Sequence, residues 1–172
     1  MRIAFFTESL LPLVDGVSHT LSHLFRALEA HDIDFRVYAP FVPGAEVSWS
    51  GRVQPVRYIT FPLHKAYRLS RPGGRDVLAD LDAFAPDIIH VVSPTPMAIW
   101  AQNHARERGI PVVATFHTHF VSYFPYYGVA GLEPLGWRIL RWFHNRCTVT
   151  YAPTRNIVEE LERNGVRDVR LW

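Results

Sequence analysis

Two histidines behind a short apolar strand are the side chains of this chain best suited to chemistry. They are His117 and His119, and they follow the β-branched run Val112–Thr115, which predicts a buried strand. Ligands of an open α/β sheet bind beyond the carboxyl ends of its strands. An imidazole placed there can accept a hydrogen bond from a hydroxyl group or transfer a proton. Either histidine can instead bind loop backbone, and position alone does not decide between these interpretations for His117.

A glycine in the first predicted loop is a candidate for binding an anion. Gly16 and Val17 stand where the first predicted helix begins. The free N–H groups and the dipole of a helix N-terminus favour an anion, and a glycine lets a phosphate approach closely. Alternatively, Gly16 only makes a tight turn, with Asp15 as the helix N-cap. The chain has no G-x-G-x-x-G, which disfavours a dinucleotide site, and no P-loop sequence, which excludes a P-loop nucleotidase.

Further polar side chains are predicted to border the same crevice. His90 and Ser93 stand at the end of the preceding predicted strand, and Glu8 lies in the first loop. Glu8 can position a hydroxyl group or hydrogen-bond within its loop, and His90 can equally be a core histidine bound to backbone. Together with two tyrosines of the aromatic loop, the cleft candidates are Glu8, His90, Ser93, His119, Tyr123 and Tyr127.

The pattern His117-Thr118-His119 can also be interpreted as a metal-binding pair. Zinc sites take three or four ligands from His, Cys, Asp and Glu. No carboxylate follows within two residues, and Cys147, the only cysteine, is predicted on or beside a helix. We therefore expect no metal ion. The chain also lacks a G-x-S-x-G nucleophile sequence and a recognisable Cys–His pair, so hydrolase chemistry has no support.

Two segments combine basic and aromatic residues in a way that suits a membrane interface. The first runs over 63–75 and the second over 135–146. The residues proposed to face a membrane or a lipid acceptor are Lys65, Arg68, Arg71, Trp137, Arg138, Arg141 and Trp142. The alternative for the second segment is ordinary core packing, because Leu135, Ile139, Leu140 and Phe143 are enough to form a buried helix face.

The composition predicts one soluble domain. The chain has 172 residues, 48% of them hydrophobic and 20% charged, which is ample for a core and argues against disorder. Its net charge of +2 is too small to indicate nucleic acid, and we expect no such partner. A single cysteine suits the reducing cytosol. No run approaches the ~20 apolar residues of a spanning helix. We expect a cytoplasmic protein, with peripheral contact to the inner membrane face.

The elements that must position these residues follow an α/β pattern. The predicted strands are 2–6, 34–38, 56–61, 87–92, 112–115, 148–151 and 169–172, and the predicted helices are 17–30, 76–84, 96–108, 134–145 and 154–164. Loops are predicted over 39–54 and, with a strongly basic character, over 62–74. This alternation predicts βαβ units and a mainly parallel sheet with right-handed crossovers. The last strand begins and the chain stops within it, as we expect at a cut domain boundary.

Four stretches of the chain resemble one family. They are MRIAFFTESLLPLVDGVSHTLSHL, PDIIHVVSPTPM, GIPVVATFHTHF and APTRNIVEELERNGV, in the order and spacing of that family. The chain resembles the N-terminal domain of a glycosyltransferase family 4 enzyme with the GT-B fold. The block Phe116-His117-Thr118-His119, followed by Tyr123 and Tyr127, looks most like the lipid-directed members. These include sulfoquinovosyl-diacylglycerol synthases, diacylglycerol glycosyltransferases and phosphatidylinositol mannosyltransferases.

The resemblance implies a Rossmann-like three-layer sandwich that forms the acceptor-side half of a two-domain enzyme. The C-terminal domain, absent from this chain, would bind most of a nucleotide sugar, and the fragment alone would be inactive. Gly16 would approach the donor diphosphate, and His117 would contact the transferred sugar. The implied reaction is retaining transfer to a lipid or glycolipid, with no metal or cofactor. One departure is Asp15, which precedes Gly16 where the family often has a second glycine.

Two alternatives remain open at this point. A GT-B sugar-nucleotide epimerase or phosphorylase would use the same fold on the same class of donor. A non-catalytic module could use the basic and aromatic segments to bind anionic lipid. Because one fold hosts many functions, the resemblance in fold does not choose among them.

Overall fold

A computed structural model describes residues 1–61, 64–117, 119–124 and 130–172 of the chain, with the backbone alone described for 61, 64–66, 120, 123 and 130. These residues form nine strands: β1 (Arg2–Phe6), β2 (Asp34–Ala39), β3 (Val53–Pro55), β4 (Tyr58–Phe61), β5 (His64–Ser70), β6 (Ile88–Val91), β7 (Val112–Thr115), β8 (Val149–Ala152) and β9 (Val169–Leu171). The α-helices are α1 (Gly16–Ala30), α2 (Arg75–Phe84), α3 (Pro96–Arg108), α4 (Glu133–His144) and α5 (Arg155–Arg163). Short 3-10 turns cover Ser50–Arg52, Phe120–Tyr123 and Ala130–Leu132.

Seven of the strands form one sheet in the order β3-β2-β1-β6-β7-β8-β9, and all of its neighbouring pairs are parallel. The order reverses between β1 and β6, which is where ligands bind in sheets of this kind. All seven carboxyl ends lie at one edge. The predicted α/β, Rossmann-like architecture with a mainly parallel sheet is confirmed.

The helices cover the sheet from both sides, as the predicted three-layer arrangement requires. Alternating residues of each strand point to opposite faces. On one face, Phe5 and Val37 pack against Leu21 and Phe25 of α1. On the other face, strand residues pack against α2 and α3 in a cluster that also contains Phe143 of α4. Strand burial on both faces explains why these strands are continuous apolar runs.

One segment differs from its prediction. The strand predicted over 56–61 contains β4, but the loops predicted over 39–54 and 62–74 are wrong in part, because the first ends in β3 and the second contains β5. The edge of the main sheet is the short strand β3, which ends on Pro55, a residue that an edge strand tolerates. Strands β4 and β5 then form a separate antiparallel hairpin. Its pairing depends on contacts that no local pattern shows, such as the Arg68 guanidinium stacked 4.4 Å from the Tyr58 ring.

Candidate functional site

The loops that carry the candidate residues meet at one edge of the sheet. Gly16 follows β1, Ser93 follows β6 and His117 follows β7. Because the three strands are parallel and β6 lies between the other two, their carboxyl ends are neighbours. The topology therefore brings the first loop and the histidine loop to the same crevice.

The start of α1 is fixed by a capping box. The Asp15 carboxylate accepts a hydrogen bond from the Ser18 amide at 2.7 Å, and the Ser18 hydroxyl accepts one from the Asp15 amide at 3.0 Å. The Ser9 hydroxyl also donates to Asp15. The first backbone bond of the helix runs from His19 to the Asp15 carbonyl, at 3.1 Å. The amides of Gly16 and Val17 precede that bond and remain available to an anion.

Gly16 itself is not required by the conformation of the turn. Its φ is not positive, and a Cβ built on it would meet no atom within 4 Å. The turn therefore does not need a glycine at this position, and Asp15 is the N-cap, as predicted. Val17 is half-buried and packs against the α1 face of the core, so only its backbone faces the crevice edge. What the glycine provides is open space over the helix start.

His117 lines a small cavity with residues from three other elements. The cavity measures about 130 Å³ and is bounded by Thr20, Phe116, His117, Tyr151, Pro153 and Trp172. Thr20 lies in the second turn of α1, so the cavity lies between that turn and the imidazole. The His117 ring stands edge-on to the Trp172 ring, with centroids 5.7 Å apart.

The Nε2 atom of His117 is buried and has no hydrogen-bond partner among the described residues. Burial lowers the pKa of His117 below its ordinary value, because the charged ring loses its hydration, and the nearby Asp15 carboxylate partly opposes this. The imidazole is thus neutral at pH 7. A neutral ring with an unused nitrogen in a cavity can exchange a hydrogen bond with a sugar hydroxyl.

His90 is packed into the core, and its ring also lines an apolar cavity on the α1 side of the sheet. Its side chain is buried, its Nε2 lies 3.2 Å from the Thr115 hydroxyl, and its ring centroid is 4.7 Å from that of Phe5. Burial, with a smaller contribution from positive charge on His117, lowers its pKa to about 3. Of the two interpretations of His90, the structure favours the packed and hydrogen-bonded one.

Glu8 is a buried carboxyl group at the same edge of the sheet. Its Oε1 is buried with no hydrogen-bond partner in the described part of the chain. Burial raises its pKa to about 7, against the smaller opposing effect of the Thr95 and Ser70 hydroxyl groups. Ser93 is half-buried, and its carbonyl accepts a hydrogen bond from the Thr95 amide at 2.8 Å. Glu8 is therefore close to its titration point at neutral pH.

His119 turns away from the cavity and joins its loop to α5. Its Nδ1 accepts a hydrogen bond from the Ser122 amide at 3.0 Å, which leaves the proton of the neutral ring on Nε2. That Nε2 lies 2.9 Å from Glu160 Oε1. The Trp137 ring stands perpendicular to the imidazole, with centroids 5.4 Å apart. Within the described residues, no group of three His, Cys, Asp or Glu side chains could hold a metal ion.

The basic and aromatic surface residues divide into two groups. Arg68 is engaged by the fold, because its guanidinium donates to the Pro40 carbonyl at 2.9 Å between two aromatic rings. Arg141 donates to the Asn164 carbonyl at 3.1 Å, and Trp137 packs under His119. Arg141 is nevertheless exposed, as are Arg71, Arg138 and Trp142. Tyr127 and the side chains of Tyr123 and Lys65 lie outside the described residues.

Four cavity residues were not anticipated from the sequence: Thr20, Tyr151, Pro153 and Trp172. Thr20 is one turn along the helix that begins at Gly16, which was a usable signal. Tyr151 and Trp172 come together only because β9 pairs with β8. No local pattern indicates that pairing.

The profile of Glycosyltransferase Family 4 matches residues 14–172. The chain belongs to glycosyltransferase family 4. It is 30% identical to a GDP-mannose-dependent alpha-mannosyltransferase of Corynebacterium glutamicum, over all of this chain and 42% of that protein. It is 29% identical to the sulfoquinovosyl transferase SQD2 of Arabidopsis thaliana, over 99% of this chain and 34% of that protein. It is 26% identical to an alpha-monoglucosyldiacylglycerol synthase of Acholeplasma laidlawii, over 95% of this chain and 43% of that protein.

Solved structures share the fold of this glycosyltransferase family 4 chain at low sequence identity. Sucrose-phosphate synthase of Thermosynechococcus elongatus superposes with a TM-score of 0.68 at 14% identity, covering 99% of this chain and 47% of that one. HepE of Anabaena, in complex with UDP-glucose, superposes with a TM-score of 0.63 at 15% identity. The match covers 99% of this chain and 43% of HepE. UDP-GlcNAc 2-epimerase of Methanocaldococcus jannaschii superposes with a TM-score of 0.54 at 15% identity. The match covers 99% of this chain and 45% of the epimerase. The chain thus spans less than half of the proteins it matches.

Proposed function

We propose that the full-length protein transfers a sugar from a nucleotide donor to a hydroxyl group of a lipid or glycolipid, with retention of anomeric configuration. The observation that carries this proposal is the cavity that His117 shares with Thr20, in the second turn of α1. The free amides of Gly16 and Val17 and the unpaired Nε2 of His117 belong to loops that follow parallel strands, which end at the same edge of the sheet. Membership of glycosyltransferase family 4 supplies the reaction class.

The donor side of the proposal rests on the helix start. The leaving group is a nucleoside diphosphate, which gains negative charge as the bond to the sugar breaks. The amides of Gly16 and Val17 and the α1 dipole offer fixed positive ends to that charge. The open space over Gly16 lets a phosphate reach them. The remaining contacts to the nucleotide are assigned to the part of the protein outside this chain.

The sugar side of the proposal rests on His117. As the bond between the anomeric carbon and the diphosphate oxygen breaks, the acceptor hydroxyl oxygen attacks the same carbon from the same face. The hydroxyl proton passes to the departing phosphate oxygen. The neutral His117 ring holds a sugar hydroxyl and orients the ring during this step. This step needs neither a metal ion nor a cofactor, and we propose that none is used.

The acceptor is assigned with help from the relatives. The matched synthase of Acholeplasma laidlawii is named for a diacylglycerol product. None of the described helices is long and apolar enough to cross a bilayer. From the lipid in that relative's name, we propose a cytoplasmic protein that meets its lipid at the inner membrane face through peripheral contact.

The test replaces His117 in the full-length enzyme. We expect His117→Ala to lower kcat by about 100-fold or more, in the range of a lost hydrogen-bonding and positioning group. Because burial lowers the pKa of His117, protonation of this ring should reduce the wild-type rate only below pH 6.5. His31→Ala, at an exposed histidine that ends α1 at the other edge of the sheet, is the matched control. A full rate for His117→Ala would remove this residue from the site.

The epimerase alternative is separated by product analysis. A labelled nucleotide sugar incubated without acceptor should remain unchanged, and labelled glycolipid should form when lipid is added. Epimerised donor in the absence of acceptor would instead support the fold likeness to UDP-GlcNAc 2-epimerase.

A further inference from the structure

A continuous apolar stripe lies exposed along α4. We call it the α4 apolar face and define it by Leu132, Leu135, Ile139 and Trp142. Their exposed fractions are 49, 51, 51 and 47%. The spacings of three, four and three residues place all four side chains on one side of a helix. Exposed apolar residues are ordinary when scattered, but a contiguous row marks a contact surface.

The adjoining side of the same helix already supplies the core contact. Leu140 and Phe143 are buried, and a Cβ on Gly136 would lie 2.9 Å from the Phe124 and Val121 side chains. A surface helix normally carries one apolar stripe towards the core and polar residues opposite it. α4 therefore carries an apolar surface that is wider than the side its own fold buries.

The charges beside the stripe identify its partner. Arg138 is exposed next to the α4 apolar face, and the Arg146 guanidinium lies 4.8 Å from the Trp142 ring centroid. Glu133 is the one acidic residue of α4. In a two-fold dimer formed through this face, the arginines of one copy would lie against the same arginines of the other, and their like charges would repel. An apolar stripe with tryptophan and arginine is instead matched by the interface of an anionic bilayer.

An apolar groove extends the stripe towards the candidate site. It has a volume of about 200 Å³ and is lined by Pro94, Val121, Phe124, Gly136, Ile139 and Leu140. Ile139 belongs to both the stripe and the groove. Pro94 and Val121 lie in the loops that follow β6 and β7, which also carry Ser93 and His117. The groove thus lies between the α4 apolar face and the loops that follow β6 and β7.

We infer that the α4 apolar face seats on an anionic lipid bilayer and that the groove takes an acyl chain of a lipid drawn from it. This inference rests on the proposed function for the purpose of the contact, because it brings a lipid hydroxyl to the loop of His117. The binding itself does not depend on catalysis. The two can therefore be tested apart.

The experiment is vesicle co-flotation of the full-length protein. Vesicles of phosphatidylcholine are compared with vesicles that also contain about 30 mol % phosphatidylglycerol, at low and high salt. The stripe variant is Leu135→Ser, Ile139→Ser and Trp142→Ser together. The control variant is Val42→Ser, Ile59→Ser and Leu78→Ser, at comparably exposed apolar residues elsewhere, 51, 54 and 38% exposed.

We expect wild type and control to bind the anionic vesicles and the stripe variant to bind on the order of 100-fold more weakly. Arg138→Gln should weaken binding and reduce its salt dependence. The stripe variant should still transfer sugar to a water-soluble acceptor, whereas His117→Ala should bind vesicles normally and fail in transfer. Equal partition of the stripe and control variants, or no vesicle binding by wild type, would overturn the inference.

A second readout avoids the risk that the stripe variant fails to fold. In the wild type, brominated lipids should quench tryptophan fluorescence, and Trp142→Phe should remove most of that quenching. Quenching that persists undiminished in Trp142→Phe would place the contact elsewhere. A stripe variant that changes from dimer to monomer while keeping its vesicle affinity would assign the face to a second copy and overturn the inference.

Discussion

Gly16 stands at a position where neither backbone conformation nor packing calls for a glycine. Its φ is not positive, and no atom lies within 4 Å of a Cβ built there. Alanine in the first turn of a helix is also favoured over glycine by up to ~1 kcal/mol. Gly16→Ala should therefore leave the melting temperature unchanged or slightly raised. If a diphosphate approaches the amides of Gly16 and Val17, the added methyl group should weaken donor binding in the full-length enzyme about 10-fold or more.

The matched control for Gly16→Ala is Gly51→Ala. Gly51 also has no positive φ and no atom near its Cβ, but it lies in the 3-10 turn Ser50–Arg52, before the edge strand β3. Calorimetric titration with nucleotide sugar and thermal melts on both variants give the comparison. Unchanged donor affinity in Gly16→Ala would remove the helix start from the donor site.

Glu8 should make the protein less stable as the pH rises. Burial raises its pKa from 4.5 to about 7, so between these values the native state holds a proton that the unfolded state has lost. The free energy of unfolding therefore falls from pH 4.5 to about 7 and stays lowered above that, by roughly 3 kcal/mol. Glu8→Gln removes this contribution, so its stability relative to wild type should rise over the same interval.

Urea unfolding of wild type and Glu8→Gln at a series of pH values measures this difference. The buried histidines His90 and His144 have lowered pKa values and contribute the opposite slope, because the unfolded state protonates first as the pH falls. Their contribution is the same in both proteins and cancels in the difference. A difference that does not vary between pH 4.5 and 7 would show that Glu8 is ionised throughout.

At the scale of elements, His119 and Glu160 tie the histidine loop to α5. The Nε2 of His119 lies 2.9 Å from Glu160 Oε1, and its Nδ1 holds the Ser122 amide. The pair is partly shielded, with side-chain exposures of 20 and 35%. We expect a coupling free energy of about 1 kcal/mol between these residues in a double-mutant cycle of alanine variants. Since the same loop carries His117, His119→Ala should also lower turnover, by about 10-fold.

Conservative replacement separates the hydrogen bond from general damage to the fold. Glu160→Gln keeps an oxygen that can accept from the neutral imidazole, so it should retain most of the activity that Glu160→Ala loses. Glu162→Ala, at an exposed carboxylate on the same helix, should have no effect. Equal loss of rate in Glu160→Gln and Glu160→Ala would contradict the hydrogen-bond role.

At the scale of the whole molecule, the chain order decides which face of the sheet is covered. β6 to β9 are added in one direction, so their right-handed crossovers place α3, α4 and α5 on one face. β2 is added in the other direction, which places α1 alone on the opposite face. Beyond α1, that face has an apolar cavity of about 350 Å³, which shares Tyr151 and Trp172 with the His117 cavity.

The size of the His117 cavity predicts the behaviour of residues 1–172 in isolation. At about 130 Å³ it is smaller than the ~300 Å³ or more of ordinary ligand pockets, so it can hold only part of a nucleotide sugar. The isolated fragment should bind donor weakly and transfer no sugar. The measurement is transfer of labelled sugar by the fragment and by the full-length enzyme at equal concentration. Transfer by the fragment at a detectable fraction of the full rate would contradict a shared site.

The sequence alone determined the class of fold and the edge at which chemistry is expected. Apolar strands that alternate with helical periods specify parallel βαβ units, and parallel strands must bring their following loops to one edge. The residues that begin and end a helix also follow local rules, as with Thr95, the N-cap of α3, and Gly109, whose left-handed conformation ends that helix. These features depend on residues close together in the chain, which is why a single sequence suffices.

Only the tertiary structure decided which side chains face the cavity and which stabilise the fold. Tyr151 and Trp172 reach His117 through strand pairing, whereas His119, two residues from it, turns to Glu160 on another helix. Arg68 and Trp137 were predicted at a surface but pack against aromatic rings, and the exposed stripe of α4 became visible only once its buried side was known. Such outcomes depend on contacts between residues far apart in sequence, whose pairing is set by the packing of the whole sheet.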